Sequence, residues 1–190
     1  DFFKKLTGKR EQKSTPQPDA EKPKDFTEIG GSPVPGLTLR HVLRGHTKEI
    51  NRIAWSPDGK YLASPSNDNT IRIWNTQTGK CTEQRTIGAV NVAWSTNEKK
   101  IASCNIDGSV FIWDIKTTRV TSIKKSSKTS IAHGISWGSL ENQIAIAGRF
   151  GETRPEFLQI YDAESGKSIK ALTGRKGHSD LSRFVIWKRN

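Results

Sequence analysis

The 190-residue chain contains no methionine and only two cysteines, Cys81 and Cys104. They form no CxxC pair and have no histidine nearby at ligand spacing, so they support neither a metal site nor a disulfide framework. They read as two reduced thiols of a cytosolic protein. No apolar run approaches the roughly 20 residues that span a bilayer. The opening Asp1-Phe2-Phe3-Lys4-Lys5 lacks the apolar h-region of a secretory signal. It also lacks a start methionine, which reads as a chain cut from a longer product. Catalytic signatures are missing as well: there is no phosphate-binding glycine loop, no HExxH and no paired-carboxylate site. No cofactor and no metal are expected, and no residue is assigned to catalysis.

Charged residues make up 26 % of the chain and the hydrophobic set 33 %, a soluble, globular-class composition with some polar excess. The net charge is +12. Basic clusters stand at Lys99-Lys100, Lys124-Lys125, Arg175-Lys176 and Lys188-Arg189. Such a field favours acidic partners and attracts nucleic acid weakly. Scattered lysines also suit solvated strand edges, where they discourage edge-to-edge pairing.

Residues 1 to 36 differ from the rest. Thr7 to Lys24 is rich in Lys, Glu, Gln and Pro and has too little to bury to offset its ordering entropy. Gly30-Gly31-Ser32-Pro33-Val34-Pro35-Gly36 is turn and linker chemistry. This stretch is expected to be a flexible linker that follows an upstream domain. From Leu37 onward short strands alternate with turns. Val, Ile and Trp alternate with polar residues in Ile50-Asn51-Arg52-Ile53-Ala54-Trp55 and in Thr70-Ile71-Arg72-Ile73-Trp74, the period of half-buried strands. Ser56-Pro57-Asp58-Gly59 is a tight turn.

The strands repeat. Ala54-Trp55-Ser56, Ala93-Trp94-Ser95 and Ser136-Trp137-Gly138 match one another, and Ile186-Trp187-Lys188 follows more weakly. A second series is Ile73-Trp74-Asn75, Ile112-Trp113-Asp114 and Ile160-Tyr161-Asp162. The period of about 40 residues lies in the range of propeller blades.

These residues resemble the WD40 repeat family. Gly45-His46 opens the first unit and Trp74-Asn75 closes it, one residue away from the family's Trp-Asp. The second unit runs through Trp94, Asp107-Gly108-Ser109 and Trp113-Asp114 and lacks Gly-His. The third is degenerate: Ser127-Lys128 replaces Gly-His, Ile146 stands where serine is usual, and Tyr161 replaces Trp. Gly177-His178 starts a fourth unit. The resemblance implies an all-β fold over residues 37–190: an incomplete WD40-type β-propeller of about three and a half four-stranded blades. Leu37 to Leu43 is expected as an outermost strand that closes a further blade. The ring is then open, so the chain is expected to continue past Asn190. In isolation it should expose apolar blade faces and associate with itself.

The resemblance also implies a buried polar relay of His46, Ser64, Asp68 and Trp74, with a partial one of Ser103, Asp107 and Trp113. Linked in this way, groups that would be costly to bury unpaired fix one blade geometry. The third unit lacks the relay, so its blade should be less regular, with Gly148 to Glu156 as an extended loop. Pro65 removes a ladder donor and calls for a bulge or an early strand end.

Three functional readings remain. The first is a protein-interaction scaffold or sensor that uses its loop face, for rigid scaffolds carry binding on loops. Glu49, Asn51, Asn67, Asn91, Ile106 and His133 are candidate contacts by position, and Arg149, Phe150 and Arg154 by residue type. The second is nucleic-acid binding through the basic surface, although no RNP-type aromatic motif is present. The third is an enzymatic effector domain upstream of the linker, joined to a WD40 sensor as in bacterial signalling and defence proteins. Other proteins are the expected partners, and no membrane is.

Overall fold

A computed structural model describes residues 36–123, 130–139, 142–150 and 156–171. The chain divides into two units, 1–42 and 43–190. Of the first, residues 36–42 are described, and they form no strand. The outermost strand expected over 37–43 is therefore not present as one.

Among the described residues the second unit holds three four-stranded antiparallel sheets. The first is β1 (Ala54–Trp55), β2 (Tyr61–Pro65), β3 (Thr70–Asn75) and β4 (Cys81–Thr86). The second is β5 (Asn91–Trp94), β6 (Lys100–Cys104), β7 (Val110–Asp114) and β8 (Val120–Ile123). The third is β9 (Ser130–Trp137), β10 (Gln143–Phe150), β11 (Glu156–Asp162) and β12 (Ser168–Ala171). Within each sheet the strands lie in chain order, as expected of blades. The fourth unit, from Gly177-His178 to Trp187, lies outside the described residues.

The sheets stack through their faces. Ala63, Ile71 and Ile73 of the first pack with Val92, Trp94, Ile101 and Trp113 of the second. Ala102, Cys104, Val110 and Ile112 of the second pack with Ile135, Trp137, Ile144 and Tyr161 of the third. Strands buried on both sides lose the simple in-out alternation; four of the six residues of β3 are buried. Each fully buried Ile contributes about 1.5–3 kcal/mol. The fourth strands are the most exposed: β4 reads Cys-Thr-Glu-Gln-Arg-Thr with no residue buried, all four residues of β12 are exposed, and in β8 Ile123 alone is buried.

The turns repeat with their chemistry. Ser56 Oγ donates to Asp58 Oδ1 (2.7 Å) and accepts from Tyr61 N (2.9 Å). In the second blade Ser95 Oγ donates to Asn97 Oδ1 (2.8 Å) and accepts from Lys100 N (2.9 Å). After the third strands, Asn75, Asp114 and Asp162 accept backbone N–H groups of the next turn. An asparagine therefore replaces the Asp of Trp-Asp without loss of the cap.

Pro65 ends β2 and pairs with Ile71 without a bulge. Its carbonyl accepts from Asn51 N (2.9 Å), so its missing donor faces the β1 side, since N and C=O of a strand residue point the same way. β1 is accordingly two residues long, where β5 has four.

The third blade departs from expectation. Gly148 and Arg149, expected in an extended loop, pair with Phe157 and Glu156 of β11. Its first three strands are longer than their counterparts in the other blades, with register shifts at Ala147/Gly148 and Ile160/Tyr161.

The turn between the inner and second strands has a left-handed residue in each of the first two blades, glycine in one and glutamate in the other. Gly59 has φ 73° and Glu98 has φ 64°. The left-handed region costs a non-glycine residue about 1–2 kcal/mol, partly offset by the extra entropy glycine loses on folding. Glu98→Gly is expected to stabilise the protein by about 0.5–1 kcal/mol, read as a higher urea midpoint at unchanged slope; a lower midpoint would refute the strain.

Candidate functional site

The starts of the inner strands, the β2–β3 and β6–β7 connections, the end of β10 and the start of β11 lie at one end of the sheets, the loop face. In the first blade a buried chain of polar groups fixes this end. Trp74 Nε1 donates to Ser64 Oγ (2.7 Å), which lies 2.7 Å from His46 Nε2, while His46 Nδ1 lies 2.8 Å from Asp68 Oδ2. The donors run in one direction if Ser64 donates to Nε2 and Nδ1–H donates to Asp68, the neutral tautomer of imidazole. Asp68 also accepts from Thr70 Oγ1 (2.6 Å), Thr70 N (2.9 Å) and Thr47 N (3.1 Å). Burial raises the Asp68 carboxyl, but the hydrogen bonds from Thr70, His46 and Thr47 outweigh it and hold the group well below the usual carboxylate range. Gly45 precedes His46 with φ 151°, and a Cβ there would lie 2.2 Å from Arg72 Nη1.

Ser64, His46 and Asp68 share the connectivity of a Ser-His-Asp triad, but their chemistry is spent internally. Ser64 is 3 % exposed, the His46 side chain likewise 3 %, and the Trp74 indole occupies the hydroxyl. A substrate carbonyl has no route to Ser64 Oγ.

The second blade is built otherwise. Trp113 Nε1 is buried and makes no hydrogen bond among the described residues; no relay joins it to Ser103. Asp107 caps its own turn, where Oδ1 accepts from Ser109 N (2.9 Å) and from the Ser109 hydroxyl. Arg85 stands nine residues before Trp94, as His46 does before Trp55. Its Cζ lies 5.1 Å from the centre of the Trp113 ring, a cation–π contact that sequence reasoning missed. The matching nine-residue offset was its only signal. In the third blade Ile146, buried to 3 %, takes the place of the serine. Tyr161 Oη donates to Gln159 Oε1 (2.5 Å).

The candidate contact residues fall into three groups. Glu49, Asn51 and Asn67 form a surface network: Asn67 Nδ2 donates to Glu49 Oε2 and Asn51 Nδ2 to Asn67 Oδ1, both at 2.9 Å. Ile106 is 60 % exposed at the tip of the β6–β7 turn. Asn91 is 8 % exposed, so its place among surface contacts is corrected: its Nδ2 donates to His133 O (3.2 Å) and ties the second blade to the third. Asn51 Nδ2 also reaches Ala89 O (3.4 Å), from the first blade to the second. His133 is the extra residue of the β9 bulge between Gly134↔Ala147 and Ala132↔Gly148; bulges re-aim backbone groups, and here the carbonyl meets Asn91. Arg149 is half-buried within β10, and Phe150 pairs with Ser130. Arg154 lies outside the described residues.

Both cysteines are free, Cys81 exposed and Cys104 buried. Burial pushes the Cys104 thiol up to about 12, with the charge of Arg52 acting weakly the other way. It is no nucleophile at neutral pH. Among the described residues no group of three or more His, Cys, Asp or Glu is placed to hold a metal ion, and no helix is long and apolar enough to cross a membrane.

Comparison with known proteins agrees with this architecture. The family model of the WD domain, G-beta repeat, matches residues 37–75 and 80–114. Protein HIRA of Zea mays is 44 % identical over 59 residues, which are 30 % of this chain and 6 % of that protein. Ribosome assembly protein 4 of Saccharomyces cerevisiae is 38 % identical over 56 residues, 30 % of this chain and 11 % of that one. The ribosome biogenesis protein BOP1 homolog of Monosiga brevicollis is 38 % identical over 72 residues, 38 % and 8 %. The crystal structure of the RRP9 WD40 repeats superposes with a TM-score of 0.61 at 17 % identity, over 73 % of this chain and 42 % of that one. This chain thus spans a small part of its relatives' length.

The relay makes two measurable demands. Ser64→Ala leaves Trp74 N–H and His46 Nε2 without their partner and should cost about 1–3 kcal/mol. The Asp68 carboxyl is depressed on folding, so its stabilisation is complete above the unfolded value of about 4 and is lost as pH falls toward the folded one. Denaturation midpoints taken from about pH 5 down to about pH 2 should fall more steeply for the native chain than for Asp68→Asn; parallel curves would show that Asp68 carries no such coupling.

Proposed function

Starting from a chain that carries WD40 repeats within residues 37–114 and folds as part of a β-propeller, we propose that it is a protein-interaction scaffold or sensor module that binds partner proteins through its loop face. The observation that carries this reading is the rigidity of that face. The β2–β3 turn is locked to the segment before β1 by the Asp68–His46–Ser64–Trp74 chain. Inter-blade amide bonds from Asn51 and Asn91 hold successive inner strands together. A fixed frame lowers the ordering cost of binding. On it stand an exposed apolar tip, Ile106, and an exposed polar network of Glu49, Asn51 and Asn67. Two of the relatives are named for ribosome assembly or biogenesis, which supports a role in assemblies of several components.

On this reading the module itself performs no chemistry. Residues 1–36 act as a linker and residues 37–190 as the propeller part. Free thiols at Cys81 and Cys104 suit a cytoplasmic setting. Acidic proteins are favoured partners, given the net charge of +12.

The test is affinity capture with the chain and with the double variant Glu49→Arg/Ile106→Asp, read by quantitative mass spectrometry with and without nuclease. Proteins held by the native chain should drop about tenfold or more on the variant and be indifferent to nuclease. A set lost to nuclease and to moderate salt would instead favour nucleic-acid binding, and a set unchanged by the variant would remove the loop face from the reading.

A further inference from the structure

The seam between the first and second blades and the seam between the second and third use the same positions, but they are filled differently. Tyr61 and Lys100 share one register position, opposite Asn75 and Asp114. Ile115 and Ala163 share another. Each follows the capping aspartate of a third strand, and each donates its N–H to the residue just before a second strand, Lys99 or Asn142. At the first seam Tyr61 and Ile115 pack against the apolar cluster of Ile73, Trp94 and Trp113. At the second a lysine stands in place of the tyrosine and an alanine in place of the isoleucine. Both changes remove bulk from one spot, and a cavity of about 600 Å³ stands there.

Its walls divide by chemistry. Ile112 and Ala163, each 4 % exposed, form an apolar floor. Lys100 and Arg119 line the second-blade side, and Glu164 lines the third-blade side. Neither the Lys100 ammonium nor the Arg119 guanidinium makes a hydrogen bond or a close ion pair among the described residues. Asp114 also lines the cavity, but its carboxylate accepts from Thr117 N (2.8 Å) and lies in the field of Lys100, as Asp162 does. Lys100 is thereby balanced, and Arg119 is the cation left without a carboxylate of its own.

We infer that this seam is a binding pocket for a peptide segment in which an aromatic or branched aliphatic side chain stands beside a carboxylate. The apolar side chain lies on Ile112 and Ala163 and restores the bulk that Tyr61 and Ile115 supply at the first seam. The carboxylate pairs with Arg119, whose planar fork suits bidentate contact. Glu164, on the far wall, accepts only a long bond from Asn142 (3.4 Å). It has acceptors left for a peptide N–H, and it turns the ligand's carboxylate toward Arg119. An inorganic anion would meet Arg119 and leave the floor uncovered. A purely apolar segment would cover the floor and bring the rim charges no partner. The volume is that of a ligand pocket, about 300–1,000 Å³. The seam opens at the end of the sheets opposite the loop face and does not depend on what that face binds.

The probe is acetyl-phenylalanyl-aspartyl amide, titrated into the full 190-residue chain and read by NMR shifts of the Ile112 and Ala163 methyl groups. The shifts should saturate, and the uncharged asparaginyl analogue should bind about tenfold or more weakly. Arg119→Gln should remove that preference. The double variant Lys100→Tyr/Ala163→Ile, which rebuilds the first seam at the second, should abolish binding while far-UV circular dichroism stays native. Arg119 is exposed, so Arg119→Gln decides alone if the double variant does not fold. Glu49→Arg/Ile106→Asp, on the loop face, should leave the titration unchanged; a loss there would move binding off the seam and overturn the inference. Shifts that do not saturate by about 10 mM would overturn it too, as would a preference that survives Arg119→Gln or binding that persists in the folded double variant. Phenylpropionate, a ring and a carboxylate with no peptide bond, should bind more weakly than the dipeptide; equal binding would make this a pocket for small carboxylates instead.

Discussion

A four-stranded sheet that is apolar on both faces has to be covered on both, and its own strands cannot do it. In this chain each sheet is short, and its second and third strands are nearly all side chains that avoid water. Burial therefore comes from the neighbouring sheet, face against face, and the chain supplies neighbours by repeating one unit. The repeat is a solution to burial before it is anything else. It accounts for the exposed fourth strands, which meet solvent at the edge, and for the burial of the second and third strands. It accounts also for the near-complete burial of Trp94 and Trp137, each at a junction between two blades.

Within a blade the bulky aromatic of the third strand must be reconciled with burial, and the three blades do this in three ways. Trp74 hands its N–H to Ser64 and enters a chain of hydrogen bonds that ends on the Asp68 carboxylate. Trp113 keeps a buried N–H without a partner among the described residues and gains the guanidinium of Arg85 over its ring. Tyr161 turns its hydroxyl to Gln159, beside an apolar Ile146. The first is the most restrictive, because each of its inner members is held by two or more partners at once. It also ties the segment before β1 to the β2–β3 turn, so the loop end of that blade is the most tightly specified. The second leaves a donor unpaired, a cost of about 1–3 kcal/mol that cation–π attraction of about 1–2 kcal/mol offsets in part.

Most of this architecture was legible in the sequence because turn residues and strand periods are local signals. Ser56-Pro57-Asp58-Gly59 announces its turn through residues four apart, and the aromatic positions fix the repeat. What escaped was decided between blades. Asn51 and Asn91 look like loop-face residues from their positions alone, yet both bond to carbonyls on the next blade, and no local pattern encodes that partner. Arg85 belongs by strand pairing to the first blade and by contact to the second, so reading units one at a time assigns it nothing. The loss of Gly-His and of the serine in the third unit suggested a looser blade. Yet β10 and β11 pair on through Gly148↔Phe157 and Arg149↔Glu156, a ladder that no local pattern in that stretch announces.

The two junctions between blades also differ, and one register position separates them. Tyr61 pairs across its sheet with Asn75, and Lys100 occupies the same place opposite Asp114. At the first junction the position is aromatic and fills the seam by stacking on Trp94. At the second it is an ammonium that acts on carboxylates of both blades. Asp114 and Asp162 are held below their ordinary values first by their turn hydrogen bonds from Thr117 and Ser165, and further by the charge of Lys100. A lysine stem fills less space than a phenol ring, and a cavity of about 600 Å³ lined by Lys100, Ile112, Arg119 and Ala163 remains there. An aromatic seam is indifferent to ionic strength, whereas an exposed ionic one is screened by it. At the loop end both seams carry an asparagine tie, so the two junctions are alike where partners are proposed to bind and unlike at the opposite end. The second and third blades nonetheless share a continuous apolar core, Ala102, Cys104, Val110 and Ile112 against Ile135, Trp137, Ile144 and Tyr161, so the ionic rim adjusts that junction and does not hold it.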